Sequence, residues 1–370
     1  MTHSSRRARL SAEMHAAELD AMLVTDLVNV RYLSGFTGSA GALLVYADGR
    51  PAVLATDGRY RTQAARQAPD LQIAIERAGA CHLVTEAAAA GAHRVGFEAH
   101  VVTVDGFDAL SAALETGRAN GRAELVRASG TVEALREVKD AGEVALLRLA
   151  CEAADAALSD LVARGGLRPG RTEREVGRQL EALMLDHGAD AASFETIVAA
   201  GPNSAIPHHR PTDAVLADGD FVKIDFGALV AGYHSDMTRT FVLGPPADWQ
   251  REIYQVVAAA QRAGRHALQP GAGLCEVDAA ARTVIAEAGY GDTFGHGLGH
   301  GVGLRIHEAP GINAAADGTL LAGAVVTVEP GVYLADRGGV RIEDTLVVAD
   351  TPGQAPELLT RFPKELTILD

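Results

Sequence analysis

The sequence predicts two domains, a smaller α/β domain over residues 1–135 and a larger α+β domain over residues 136–370. Three observations carry that expectation. The length of 370 residues lies beyond the roughly 250–300 residues at which single cores stop growing. The first third alternates short apolar strands with helices, whereas the rest interleaves amphipathic helices with runs rich in Val, Ile and Thr that read as antiparallel strands. Between them, "EVKDAGEVALLRLACEAADAALSDLVARG" (137–165) has apolar residues at helical spacing and ends in glycines, the mark of one long helix that opens the second domain.

In chain order, "LDAMLVTD" reads as a strand leading into "VRYLSGF". "GALLVYADGRPAVLAT" reads as two strands around the turn "ADGR", and "RYRTQAARQA" as a helix. In the second domain "TEREVGRQLEALMLDHG", "WQREIYQVVAAAQRAGRHAL" and "EVDAAARTVIAEAGY" are amphipathic helices.

Composition narrows the class. With 48% hydrophobic and 22% charged residues the chain is neither disordered nor fibrous. A formal net charge of −15, with no run of Lys and Arg to offset it, excludes nucleic acid as a partner. No apolar stretch reaches the roughly 18 residues of a membrane span, and no apolar segment follows the amino-terminal arginine pair, so no membrane partner and a cytoplasmic location are expected. Cys81, Cys151 and Cys275 are widely spaced and read as three buried thiols, not as a disulfide framework or a zinc site. G-x-S-x-G, H-E-x-x-H and a Walker loop are all missing.

Two stretches oppose their acids. If "DFVKIDFGALVAGYHSDMTRT" turns about Val230 and Ala231, Asp225 falls directly across from Asp236. In "VVTVEPGVYLADRGGVRIEDTLVV", Glu329 and Glu343 are equidistant from Asp336, and alternation puts Arg341 on the face of Glu343 and Asp344 on the other. Ionised carboxylates so paired repel unless a cation lies between them. The segment "GHGLGHGVGLRIHEAP" (295–310), if extended, sends His296, Leu298, His300, Val302 and Leu304 to one face and leaves a bare glycine face for close backbone packing. His307 has the opposite parity and joins only through a bend. Four carboxylates and a histidine suit divalent manganese, iron, cobalt or zinc, oxygen ligands favouring manganese, and such ions activate water for hydrolysis.

Together "IDFGALVAGYHSDMTRT", "GHGLGHGVGLRIHEAP", "TVEPGVY" and "RIEDT" resemble, in order and spacing, the pita-bread metallopeptidases, in particular the branch of Xaa-Pro dipeptidase (prolidase) and Xaa-Pro aminopeptidase. The resemblance spans residues 140–370, and the first domain is similar in type to the amino-terminal domain of that branch and of creatinase. It implies an α+β pita-bread catalytic domain behind an α/β creatinase-type domain. It further implies that Asp225 binds one metal, that His300 and Glu329 bind another, and that Asp236 and Glu343 bridge the two. By the same resemblance His208 and His307 flank the scissile bond, Glu329 shuttles a proton, Arg341 and Tyr333 lend support, and His296 lies at the pocket edge. His209 stays open as the alternative to His208, and His234 reads as a surface turn residue.

The implied cofactors are two divalent ions per subunit, manganese first, with cobalt, zinc or iron as alternatives. The implied partners are short proline-containing peptides and a second copy in a homodimer. A dipeptidase must read the free proline carboxylate, a task open to Arg59 or Arg61. Methionine-aminopeptidase-like specificity and an inactive protein-binding relative are the competing readings, and the presence of all five ligands argues against the latter.

Overall fold

A computed structural model of the protein describes residues 2–116 and 123–369. The chain divides into two compact units, Met1–Arg136 and Glu137–Asp370.

The first unit runs α1 (His3–Ala16), β1 (Ala21–Val24), α2 (Leu27–Ser34), β2 (Ala42–Tyr46), β3 (Val53–Thr56), α3 (Arg61–Gln67), β4 (Gln72–Ile75), α4 (Gly79–Ala89), β5 (Arg94–Phe97), α5 (Val104–Thr116), β6 (Glu124–Arg127) and α6 (Thr131–Glu137). Its strands make one mixed sheet in the order β4-β3-β2-β1-β5-β6. The hairpin expected around "ADGR" is β2–β3, antiparallel with Ala42 opposite Ala55. "VRYLSGF" falls mostly on α2, where the Asp26 carboxylate accepts from Val28 N and Gly35, at φ 80°, ends the helix. The strands β1, β2 and β3 are buried along their whole length, so both faces are covered and their sequences read as continuous apolar runs.

The second unit opens with α7 (Ala141–Ala163). The first residues of the expected helix, 137–140, lie outside it, because a capping box sets its start: Asp140 accepts from Gly142 N and Glu143 N while Glu143 accepts from Asp140 N. Val138 instead bridges to Ala324. There follow α8 (Glu173–Asp186), β7 (Ala191–Ala192), β8 (Ile197–Ala200), β9 (Phe221–Phe226), β10 (Ala228–Val230), β11 (Tyr233–His234), β12 (Met237–Leu243), α9 (Asp248–Ala267) and α10 (Leu274–Glu287). The remainder is strand: β13 (Gly299–Gly301), β14 (Glu308–Ile312), β15 (Val325–Val328), β16 (Gly331–Leu334), β17 (Gly338–Arg341), β18 (Asp344–Val347), β19 (Glu357–Leu358) and β20 (Thr367–Leu369).

Two sheets, β20-β12-β9-β8 and β14-β13-β15-β18-β19, each carry a helical layer. Val222, Ile224 and Phe226 of β9 pack with Leu158, Leu161, Leu180 and Met184 of α7 and α8. Val326 and Val328 of β15 pack with Val257 and Ala281 of α9 and α10. Because strand side chains alternate, Lys223 and Asp225, and likewise Thr327 and Glu329, are turned away from those helices. The acids are thus gathered on the faces the helices leave free.

Of the three cysteines only Cys151 is buried; Cys81 is half-buried and Cys275 exposed. Cys275 lies off the buried stripe of α10, formed by Leu274, Val277, Asp278, Ala281 and Ile285.

Candidate metal centre

The first pair of acids is set by the turn between β10 and β11. Val230 pairs with Tyr233, leaving Ala231 (φ 47°) and Gly232 (φ 78°) as the two central residues. Such a turn needs positive φ at both, so Gly232 must occupy a central position and the bend falls one residue later than Val230–Ala231. The β9–β12 ladder consequently places Asp225 opposite Thr238, not opposite Asp236. A pairing slip of two residues preserves faces, and Asp225 and Asp236 remain diagonal neighbours on one side.

The second pair follows the expected register. Leu334 pairs with Gly338 around Asp336 (φ 58°), Gly331 with Arg341, and the same register resumes at Val328 opposite Asp344. Between those ladders Glu329 and Glu343 face each other while their amides turn outward: Glu329 N donates to Leu298 O at 2.8 Å and Glu343 N to Thr238 O at 3.1 Å. Asp344 points the other way, where Arg239 Nη2, Gln261 Nε2 and Lys364 Nζ reach its carboxylate at 2.9, 2.8 and 2.9 Å.

The histidine segment is not one straight strand. Gly299–Gly301 forms a short strand whose register shifts between His300 and Gly301, and Glu308 pairs back onto Gly301 as the start of β14. Leu298 joins the helix-side core while His300 faces the carboxylates, so the expected single face is broken. The glycines do allow close packing: a Cβ on Gly299 would lie 2.1 Å from Thr327 O, and one on Gly301 2.1 Å from Ala309 O. Bends over residues 303–307 bring His307 round, with its ring centroid 4.4 Å from that of His300.

His300 Nε2 stands 3.5 Å from Asp236 Oδ2 and 3.4 Å from Glu329 Oε1. One ligand atom each of Asp236, His300 and Glu343 lies within 4.8 Å of the others. Arg341 supplies the local positive charge: Nη2 meets Asp225 Oδ2 at 2.5 Å, Nη1 donates to Tyr333 OH at 2.8 Å and to Pro207 O at 3.2 Å, and Nε donates to Thr238 Oγ1 at 3.0 Å. Thr238 Oγ1 in turn donates to Glu343 Oε2 at 2.8 Å. One cation cannot balance four acids.

Burial and mutual repulsion push Asp236 and Glu343 well above the usual carboxylate range, and burial lifts Glu329 to about 8. Burial likewise lowers His300 and His296 to about 4, lowers His307, and raises Tyr333 to about 12. His296 Nε2 lies 2.9 Å from Tyr333 OH, which places it behind Tyr333 and Arg341 in the chain of contacts that ends on Asp225. Asp225 Oδ1 and Glu343 Oε1 are buried with no hydrogen-bond partner, a costly state for carboxylate oxygens unless a cation takes up the lone pairs. The donor set of carboxylates and one neutral imidazole therefore fits divalent cations.

The residues that hold His208 are not among those the sequence singles out. His208 is exposed in a cavity of about 270 Å³ that the acids, His300 and His307 also line. His209 is buried and faces back, its Nε2 2.8 Å from Glu173 Oε2. Glu173, fully buried, also accepts from Ala200 N, Asn203 Nδ2, Thr212 N and Thr212 Oγ1, so one carboxylate ties both ends of the loop. Lys223, equally buried, donates to Ile206 O at 2.7 Å and Pro207 O at 3.3 Å. A Glu in a helix-opening "TERE" and a Lys in an apolar strand, "FVKID", were the available signals. His234 is not in a surface turn: it sits on β11 with Nδ1 2.9 Å from Ser193 Oγ. Arg59, in the first unit, is paired with Asp57 at 2.7 Å.

The Creatinase/Prolidase N-terminal domain family matches residues 6–138, and Metallopeptidase family M24 matches residues 145–350. The "Uncharacterized peptidase YqhT" of Bacillus subtilis is 41% identical over 353 residues, covering 95% of this chain and 96% of its own. The solved Xaa-Pro dipeptidase from Bacillus anthracis superposes with a TM-score of 0.92 at 39% identity, covering 100% of both chains. The X-Pro aminopeptidase from Thermotoga maritima superposes with a TM-score of 0.86 at 33% identity, covering 95% of this chain and 98% of its own. With the acids and histidine of a divalent metal centre in a fold shared along its whole length with such proteins, the chain belongs to metallopeptidase family M24.

Proposed function

We propose that the protein is an Xaa-Pro exopeptidase, cleaving the bond before proline in dipeptides or at the amino terminus of short peptides, with two divalent cations per subunit, manganese first. The observation that carries this reading is the convergence of Asp225, Asp236, His300, Glu329 and Glu343 on one cavity, with buried carboxylate oxygens left unpartnered. The proline preference is supported by the similarity to the Bacillus anthracis dipeptidase and the Thermotoga maritima aminopeptidase. A cytoplasmic homodimer completes the proposal; among the described residues no helix is long and apolar enough to cross a membrane.

When bound, the cations would supply Lewis acidity, polarising the scissile carbonyl and making water a nucleophile near neutral pH. Asp225 would hold one, His300 and Glu329 the other, with Asp236 and Glu343 shared. His307, its pKa lowered by burial, is neutral at pH 7 and offers a ring N–H to charge developing on the carbonyl oxygen, with His208 beside it in the cavity. Glu329 takes the proton released by the attacking water at a carboxylate oxygen and passes it to the leaving nitrogen. That nitrogen is a tertiary amide without N–H, so it departs only once protonated. Arg341 is a positioning residue: its donors are engaged with Asp225, Thr238, Tyr333 and Pro207, and it orients Asp225 and the His208 loop. Arg210 is the one Lys or Arg side chain among the described residues lining the cavity, and its Nε lies 3.2 Å from Glu195 Oε2.

The test is metal-stripped protein, refilled with manganese and offered an X-Pro dipeptide beside an X-Pro tripeptide. Cleavage of the dipeptide alone makes it a dipeptidase, and cleavage of the tripeptide an aminopeptidase. No cleavage of either overturns the proposal.

A further inference from the structure

A second cavity of the catalytic unit, about 440 Å³, runs along α9 and is closed by residues 364–366. Arg251, Gln255, Ala258, Arg262 and Arg265 recur at three- and four-residue intervals, so one stripe of α9 faces it. Four cationic side chains line it, Arg251, Arg262, Arg265 and Lys364, against one acid, Glu365. This concentration stands out in a chain whose formal charge is −15.

Lys364 is already engaged with Asp344 at 2.9 Å. Among the described residues no hydrogen bond or ion pair from another side chain meets the guanidinium groups of Arg251, Arg262 or Arg265. The Nε of Arg265, a half-buried residue, is buried without a hydrogen-bond partner, while Arg251 and Arg262 are exposed along the cavity. Like charges three residues apart on a helix, as at 262 and 265, are mildly destabilising, and the guanidinium groups here lack the carboxylates that engage Arg148, Arg174 and Arg282.

We propose that this cavity binds an elongated small-molecule dianion with an apolar middle. Guanidinium forks match carboxylate and phosphate oxygens. Along α9, Arg251 and Arg262 are separated by about 16 Å at the helical rise per residue, a gap their long side chains narrow from both ends. Ala258, Ile342 and Leu366 supply the apolar wall between them. The volume is that of an ordinary small-ligand site. The site is independent of the acids and does not rest on the peptidase reading.

The probes are hexane-1,6-diyl bis(methyl phosphate), octanedioate and uncharged hexane-1,6-diol, titrated calorimetrically into manganese-loaded protein at fixed ionic strength. At least one dianion is expected to bind and the diol is not; the tighter dianion identifies the phosphate or the carboxylate source. Arg262→Gln with Arg265→Gln is expected to weaken that binding about tenfold or more. Arg66→Gln with Arg178→Gln, exposed arginines elsewhere and the same change in net charge, is expected to leave it unchanged. Should the first double variant fail to fold, Arg251→Gln alone is expected to weaken binding several-fold. Absence of binding by both dianions overturns the proposal. So does binding that survives loss of Arg262 and Arg265, as chelation at the metal centre would, or equal weakening in the two double variants.

Discussion

Replacing Gly299 by Ala tests whether the bare glycine face is what lets the histidine segment reach the acids. The added Cβ would stand 2.1 Å from Thr327 O and 2.7 Å from Thr327 C, against an ordinary contact of about 3.4 Å, so β13 and β15 must part by more than ~1 Å. That displacement stretches His300 N to Thr327 Oγ1, now 3.1 Å, and Glu329 N to Leu298 O, now 2.8 Å, beyond hydrogen-bonding range. Two such bonds are worth about 1 kcal/mol each. Overpacking adds roughly 1–3 kcal/mol. A total of about 3–5 kcal/mol corresponds to a fall in Tm on the order of 10 °C for a unit of this size. Gly295 is the matched control, since nothing lies within 4 Å of its Cβ position and Gly295→Ala is expected to change stability by less than ~0.5 kcal/mol. Melting by circular dichroism and metal content by mass spectrometry read both effects: Gly299→Ala melts low and loses metal, because His300 and Glu329 flank the broken contacts. Equal melting of the two variants, with full metal content, would refute the reasoning.

Three further outcomes are expected. Asp236→Ala or Glu343→Ala abolishes hydrolysis and metal retention, each losing a shared ligand; unchanged activity in either variant refutes the assigned centre. In metal-free protein Glu329 is held at about 8 against an ordinary 4.5, so the folded state keeps a proton the unfolded state releases, and stability falls as pH rises towards 8. His300 and His296, held to about 4, act in the opposite sense below pH 6.5, so pH 6.5–8 is the window to read, where Asp236 and Glu343, raised by the same burial, act in the same sense as Glu329. There the loss from Glu329 is about 2 kcal/mol, and metal affinity rises because cations replace that proton; parallel melting profiles with and without metal would count against this. Glu173→Gln must aim an amide NH₂ at donors now served by a carboxylate, and is expected to cost about 2–4 kcal/mol and to lower kcat with metal content intact. A kcat equal to wild type would show that the His208 loop needs no such anchor.

Much of the catalytic unit was legible because its signals are local. The equidistance of Glu329 and Glu343 from Asp336 survives intact, since a glycine-rich turn fixes register directly. Equidistance alone places the neighbouring hairpin one residue early because "VAGY" offers two turns, and only the demand for positive φ at both central positions selects Ala231–Gly232. Periodicity starts helix α7 early because its capping box competes with a run of equally helical residues before it. Glu173 and Lys223 escaped notice for another reason. Each works through partners 16 to 39 residues away, several of them backbone groups that carry no sequence signature. The face of a residue can be read from periodicity, but a buried charge held by distant carbonyls cannot.

The ribbon from β15 to β18 keeps one register throughout, with Val328 opposite Asp344 and Gly331 opposite Arg341, although its strands join different sheets. Adding or removing a single residue between 326 and 334, or between 338 and 346, would exchange the two faces beyond that point, so that Val328 or Ile342 met the cations and an acid entered the helical core. Length changes in this ribbon are therefore tolerable only at its tip, around Asp336, where the chain belongs to no ladder. In evolutionary terms the stretch can vary in letters but not in count.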